Sequence, residues 1–253
     1  MIRFLLLLSA AFLPVMPVAA QEIYYKPSVT VMKTEENIAP AVPAPVVLEL
    51  FTSQGCAYCP PADALLGKLI QQPGIIGLAC HVDYFKVTKN SLGQPFCTRR
   101  QNNYGRMLGN RPRYTPQLIV NGQKDLIGYE ASKVSAAIMK ARAKKAVNIP
   151  LTQDARGGYG AAMPSMDLRG APVRVWMAVY DTPHRQAMTE GNNLGKMVTY
   201  YNVVRRIDDL GPWDGSPAMR SIDPRFGSNS GGFALVAQNE ATGEIVAAGQ
   251  VQR

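Results

Sequence analysis

Past its first twenty residues the chain has no apolar run long enough to cross a bilayer, so no stable membrane span is expected once that segment is removed. Cysteine is scarce: Cys56, Cys59, Cys80 and Cys97 are four in 253 residues, too few for a disulfide-stapled scaffold, so burial must hold the core. Neither Gly157-Gly158 nor Gly231-Gly232 has the strand-to-helix setting of a phosphate loop, and no cofactor is expected. Acidic residues are outnumbered by basic ones, 18 to 27, for a net charge of +9. In a cytosolic chain that balance would suggest nucleic acid, whose phosphates release counterions to clustered Lys and Arg.

The N-terminus argues against nucleic acid. Residues 1–20, MIRFLLLLSAAFLPVMPVAA, give one Arg, an apolar run from Phe4 to Leu13 and the small-residue ending Val18-Ala19-Ala20 of a cleaved signal peptide. A membrane anchor is the rival reading, but Pro14 and Pro17 interrupt a run already short for a span. A periplasmic or secreted protein is therefore expected, with no nucleic-acid partner. Loss of Arg3 lowers its charge from +9 to +8, and the remaining excess reads as solvated faces.

Residues 21–45 carry four prolines and no sustained period, the marks of an extended leader and linker. From Val46 the pattern alternates. Val46–Phe51 and Ile76–Val82 read as buried strands, and between them Ala62, Leu65, Leu66 and Leu69 share a helical face. A weaker helix is expected over 98–108 with Thr98 as its cap. Two short strands about Asn121-Gly122 follow, then a helix with Val134, Ala137, Ile138 and Ala141 on one face. This order, with a dithiol after the first strand and a proline opening the third, is the layout of an α/β thioredoxin-like fold, expected over 46–147. Residues 148–253 turn β-rich through VRVWMAVYD, KMVTYYNVVRRI and GFALVAQNEATGEIVAAGQVQ, and a smaller sandwich-like domain is expected there.

Cys56 and Cys59 fall between the first strand and its helix. A thiolate there feels the positive end of the helix dipole and its free N–H groups, so Cys56 is the candidate nucleophile and Cys59 the candidate resolving thiol. Pro60 works against this: a residue before proline resists helical geometry, so the regular helix is expected to start later. A structural two-residue-loop disulfide is the competing reading. Cys80 lies in the second strand, with helices expected on both of its faces, and Cys97 lies just before the second helix. The two are a candidate structural disulfide or a pair of buried thiols.

Cys56, Cys59, Cys80 and His81 could supply zinc or copper ligands. The consecutive strand residues Cys80 and His81 point to opposite faces, however, and no metal site is assigned. Asp83, after the second strand, is a candidate for moving the Cys59 proton, set against a plain loop carboxylate. Turn chemistry accounts for the glycines and asparagines of TEGNNLGK, residues 189–196.

LELFTSQGCAYCPPADALLGKL, HVDYF, TRRQNNYGRMLG, YTPQLIVNG and YYNVVRRIDDLGPWDG together resemble an exported bacterial family with a thioredoxin-like domain, one named as a domain of unknown function. The FTSQGC-x-x-CPPAD segment is the most distinctive, and the resemblance runs from about Val46 to the C-terminus. The family usually has small residues where this chain has Ala57 and Tyr58, and usually lacks Cys80 and Cys97. In thioredoxin-like proteins the proline matching Pro116 is cis and faces the dithiol, and the residue before it pairs with the incoming chain. The resemblance therefore implies that Thr115 and Pro116 orient substrate, whereas position alone suggests only a tolerated strand-start proline. Tyr58 and Thr115 look like those of periplasmic disulfide isomerases, whose N-terminal dimerisation domain has no counterpart here.

The implied activity is thiol–disulfide exchange through Cys56 and Cys59, with disulfide- or thiol-containing exported proteins and a redox partner as the other reactants. The alternative is a non-catalytic binding module with a structural disulfide, whose β-rich domain contacts a partner or copper.

Overall fold

The computed structural model describes residues 31–32, 46–85, 90–144 and 146–253, so the expected signal peptide and most of the expected leader lie outside the described residues. Strand β1 (Val31–Met32) is followed by β2 (Val46–Thr52), α1 (Cys59–Leu69), β3 (Ile75–His81), α2 (Pro95–Met107), β4 (Gln117–Val120), β5 (Lys124–Ile127) and α3 (Ala131–Arg142). The remainder is β: β6 (Val147–Asn148), β7 (Leu151–Gln153), β8 (Tyr159–Met163), β9 (Val173–Asp181), β10 (His184–Ala187), β11 (Met197–Tyr200), β12 (Val204–Trp213), β13 (Ala218–Ile222), β14 (Ser230–Asn239) and β15 (Ile245–Gln252). A single 3-10 turn, Gly191–Asn193, separates β10 from β11.

The first sheet has the order β3-β2-β4-β5, with β2 and β3 parallel and the other pairs antiparallel. Every residue of β2 is buried, because alternate side chains find cover on opposite faces. Val46, Leu48 and Leu50 join Ala62 and Leu66 of α1 and Val134 and Ile138 of α3. Val47 and Phe51 join Trp176, Ala178, Tyr180 and Val236 of a second sheet, ordered β12-β9-β14-β15-β6. On the far side of that sheet, Val175, Met177 and Val179 meet Tyr159, Ala161 and Ile222 of a third sheet, ordered β1-β13-β8-β7. Two helices and three sheets are thus stacked in sequence, and β1 brings part of the expected leader into the last layer by pairing with β13.

This arrangement corrects the expected fold class. Among the described residues three α-helices stand against fifteen strands in four sheets, so the chain is mainly β and is not an α/β fold of the thioredoxin type with a smaller β-rich appendage. The physical reason lies on one face of the first sheet. Helices were expected on both faces, but the face bearing Val47, Phe51, Ile76 and Leu78 is covered largely by another sheet. An apolar strand face records that it must be buried and not what buries it.

A buried polar network runs through that sheet-to-sheet boundary. Glu49 of β2 accepts two hydrogen bonds from Arg100 of α2 and one from the Tyr104 hydroxyl. Gln238 of β14 accepts from Arg100 Nη2 at 3.1 Å and from Trp176 Nε1 at 3.0 Å, and the Arg100 guanidinium lies 3.9 Å from the centre of the Trp176 ring. Pairing and stacking compensate charges that would otherwise be costly to bury. The outer edge of β3 is also covered: Ala79 N–H donates to Asn202 O and Asn202 Nδ2 donates to Gly77 O, at 3.0 and 2.8 Å.

Candidate active site

Leaving β2, the chain turns sharply. Cys56 N–H donates to Ser53 O at 3.2 Å and Cys59 N–H to Cys56 O at 3.3 Å, and α1 then begins at Cys59 itself. The expected delay of the helix by Pro60 does not occur. Pro60 and Pro61 occupy the first turn, where a helix has no use for their missing N–H groups. Both Cys56 and Cys59 are free thiols, and they are 4% and 0% exposed. Across from them the Thr115–Pro116 bond is cis, and the Cys56 thiol donates to the Thr115 carbonyl at 3.7 Å.

The two sulfurs titrate in opposite directions. A hydrogen bond from Cys59 pulls Cys56 down to about 6, helped by the Thr115 side chain and by the backbone N–H groups of Tyr58 and Cys59, against the penalty of burial. Cys59 is pushed up, first by burial, then by its role as donor to Cys56 and by the negative charges of Cys56 and Asp63. Asp63 is the buried acid of this site. It is 3% exposed, its Oδ2 accepts from Thr52 Oγ1 at 3.1 Å, and burial holds its carboxyl well above the usual range. Asp63 Oδ1 and both ring nitrogens of His81 make no hydrogen bond among the described residues. His81 is Thr52's register partner on β3, packs edge-on against Tyr200 at 5.0 Å, and is driven down to about 3 by burial and by the charges of Arg205 and His184.

The second half of the chain closes the site. Asn193 Nδ2 donates to both Gln54 O and Cys56 O at 2.9 Å, and Asn192 Nδ2 donates to Gly55 O at 3.1 Å. Gln54 is tied in turn, its Oε1 accepting from Leu92 N–H at 2.8 Å and its Nε2 donating to Gln186 Oε1 at 3.0 Å.

With this geometry in hand, comparison with known proteins finds that the family described as "Protein of unknown function (DUF1223)" matches residues 47–238. The chain belongs to the DUF1223 family. A crystal structure of a protein from Agrobacterium tumefaciens is similar to it, with 27% identity, a TM-score of 0.72, and coverage of 83% of this chain and 95% of that one. No curated protein matches. The DUF1223 segment runs from β2 into β14, so the dithiol and the asparagines that hold its loop lie within one family unit.

In this DUF1223 chain Cys56, Cys59, Thr115 and Pro116 come together, and Cys80 and Cys97 form a buried disulfide between β3 and α2. Its sulfurs belong to the apolar cluster between the first two sheets, and Cys80 is not a thiolate for a metal. Asp83 is exposed and its carboxylate accepts from Thr98 Oγ1. Thr98 therefore ties the helix to a loop and does not cap α2, which starts at Pro95. His184 lies in β10 beside Tyr200.

Sequence reasoning missed Asp63, Asn192 and Asn193. For Asp63 the signal was present: it stands four residues after Cys59 and so shares its helical face. It is buried there while Leu65, assigned to the core face, is only partly buried. No such spacing points to Asn193, which reaches the dithiol across 137 positions.

Proposed function

We propose that this protein is a thiol–disulfide oxidoreductase in which Cys56 is the nucleophile and Cys59 the resolving thiol. The observation that carries this reading is the placement of two neighbouring free thiols at the start of α1, across from the cis Thr115–Pro116 bond, with Cys56 tuned down and Cys59 tuned up. An inert staple has no need of that difference. The Cys56 thiolate attacks one sulfur of a substrate disulfide, forming a mixed disulfide and expelling the other sulfur as a thiolate, which takes a proton from solvent. Cys59 then gives its proton to the Asp63 carboxylate and attacks Cys56 Sγ. This forms the Cys56–Cys59 disulfide and releases the second substrate sulfur as a thiolate, which is protonated in turn. The substrate is reduced and the dithiol oxidised by two electrons, and the reverse sequence oxidises a substrate dithiol.

Asp63 suits the second step because its raised pKa makes its carboxylate a stronger base than an exposed aspartate. The Thr115 carbonyl beside Cys56 supports a role for Thr115 and cis-Pro116 in orienting an incoming chain. The signal-like first twenty residues favour exported proteins with disulfides or thiols as substrates, and a periplasmic or secreted site of action. Reduction of insulin or refolding of a scrambled disulfide protein tests the assignment. Wild type is expected to turn over and Cys56→Ser to fall to background; equal rates would sink it.

A further inference from the structure

Asn193 lies in the short turn between β10 and β11, in the half of the chain that carries no cysteine, and it is 1% exposed. Its amide has two N–H donors and one acceptor oxygen, and all three are used. The donors go to Gln54 O and Cys56 O, both at 2.9 Å, and the oxygen accepts from Lys196 Nζ at 2.9 Å. With Asn192 on Gly55 O, three consecutive carbonyls of the dithiol loop each accept from an asparagine amide of this one turn. Ordinary turn chemistry spends asparagine amides on their own neighbouring backbone. Here they are spent on a segment 137 to 139 positions away in the chain.

A peptide carbonyl carries its negative end on oxygen, and a buried carbonyl left without a donor rotates to find one or pays a desolvation cost. Beside a thiol that must ionise, the direction of rotation matters. Cys56 O accepts from Asn193 Nδ2 at 2.9 Å and from Cys59 N–H at 3.3 Å, so the turn that carries Sγ is held from both sides. The backbone N–H groups of Tyr58 and Cys59 in that turn favour the Cys56 thiolate. We propose that Asn193 is a positioning residue for Cys56: by fixing the Gln54 and Cys56 carbonyls, the β10–β11 turn sets how readily Cys56 carries negative charge and how oxidising the dithiol is. The proposal deepens the oxidoreductase reading and rests on it for its meaning, but its measurement does not depend on turnover.

The experiment is a pH titration of Cys56 by thiolate absorbance, together with the equilibrium of the Cys56–Cys59 pair against glutathione, in wild type, Asn193→Ala and Asn192→Ala. In Asn193→Ala the Cys56 midpoint is expected to rise by about one pH unit, the share of one hydrogen bond to a charged group, and the pair to become more reducing. Asn192→Ala, which frees only the exposed Gly55 carbonyl, is expected to move both readouts less. An unmoved midpoint in Asn193→Ala, or an equal shift in the two variants, would overturn the proposal, because a merely structural contact changes stability without changing the sulfur. If Asn193→Ala does not fold, wild type alone decides: the Asn193 side-chain amide resonances are expected to shift with an inflection at the Cys56 midpoint, and a flat response overturns the proposal. Failure of wild type to exchange disulfides with a normal Asn193 effect on the midpoint would reject the enzyme and keep the clamp.

Discussion

Two cysteine pairs belong to neighbouring strands of one sheet and the helices that follow them, and their surroundings differ. Cys56 follows the end of β2, beside a helix N-terminus, the Thr115 side chain and a buried acid. Cys80, near the end of β3, and Cys97, in the first turn of α2, are embedded in an apolar cluster of valine, isoleucine, leucine and aromatic side chains. One pair is free and has a buried acid beside it; the other is closed as a disulfide among apolar side chains, although Cys97 too stands in the first turn of a helix. Burial is nearly equal in the two, so depth does not distinguish them, and neither does a helix N-terminus alone. The acid and the opposed tuning of the two thiols belong to the first pair only.

The contrast can be broken from either side. The largest expected effect is on stability, from the apolar pair. Replacing both Cys80 and Cys97 by alanine removes a crosslink between positions 17 apart and is expected to cost about 3 kcal/mol in urea unfolding, with the Cys56 midpoint unchanged. A shift in that midpoint would mean that the two pairs communicate.

Next comes the acid. Asp63→Asn is expected to slow the resolving step about a hundredfold at neutral pH, read as accumulation of the mixed disulfide in rapid-quench experiments. The same variant has a signature in stability. Because the folded pKa of Asp63 lies above the unfolded one, the folded state holds the proton more tightly, and wild type loses stability as pH rises past 3.8 towards that folded value. Asp63→Asn should lack this loss and be relatively more stable at alkaline pH, so a parallel pH–stability curve would reject the burial argument.

His81 works in the opposite sense. Its folded value of about 3 against 6.5 means that the stability it lends is complete above 6.5 and is lost as acid protonates the unfolded chain. His81→Phe should flatten the acid limb between those two values in thermal melts at stepped pH. The smallest effect is expected at Asp83, the exposed acid proposed from sequence. Asp83→Asn should change exchange rates by less than about twofold, as surface substitutions usually do, and a larger loss would restore it as a proton carrier.

These comparisons also show what the residues disclosed in advance. Val46 to Phe51 and Ile76 to Val82 were legible as buried strands because both faces are apolar, and VRVWMAVYD was legible with its ends in place. The Asn121-Gly122 turn was legible because both residues take positive φ, 45° and 68°, which few residue types tolerate. The segment KMVTYYNVVRRI, read only as β-rich, is two strands, because Asn202 at φ 46° leaves the ladder to cover the edge of β3. That break depends on a distant neighbour, and no local pattern encodes it. The same holds for the second sheet lying against the first, and for Asn193, whose purpose is invisible in TEGNNLGK. Pro60 misled for a different reason: a local preference against helical geometry at Cys59 was outweighed by the packing of Ala62, Leu66 and Leu69 of the same helix against β2.

The long reach of Asn193 has a consequence in time. A ribosome makes Cys56 and Cys59 well over a hundred residues before it makes the amide that holds their loop, so a chain emerging from its N-terminus carries both thiols through much of translation without that turn. The finished dithiol is an assembly of early and late segments.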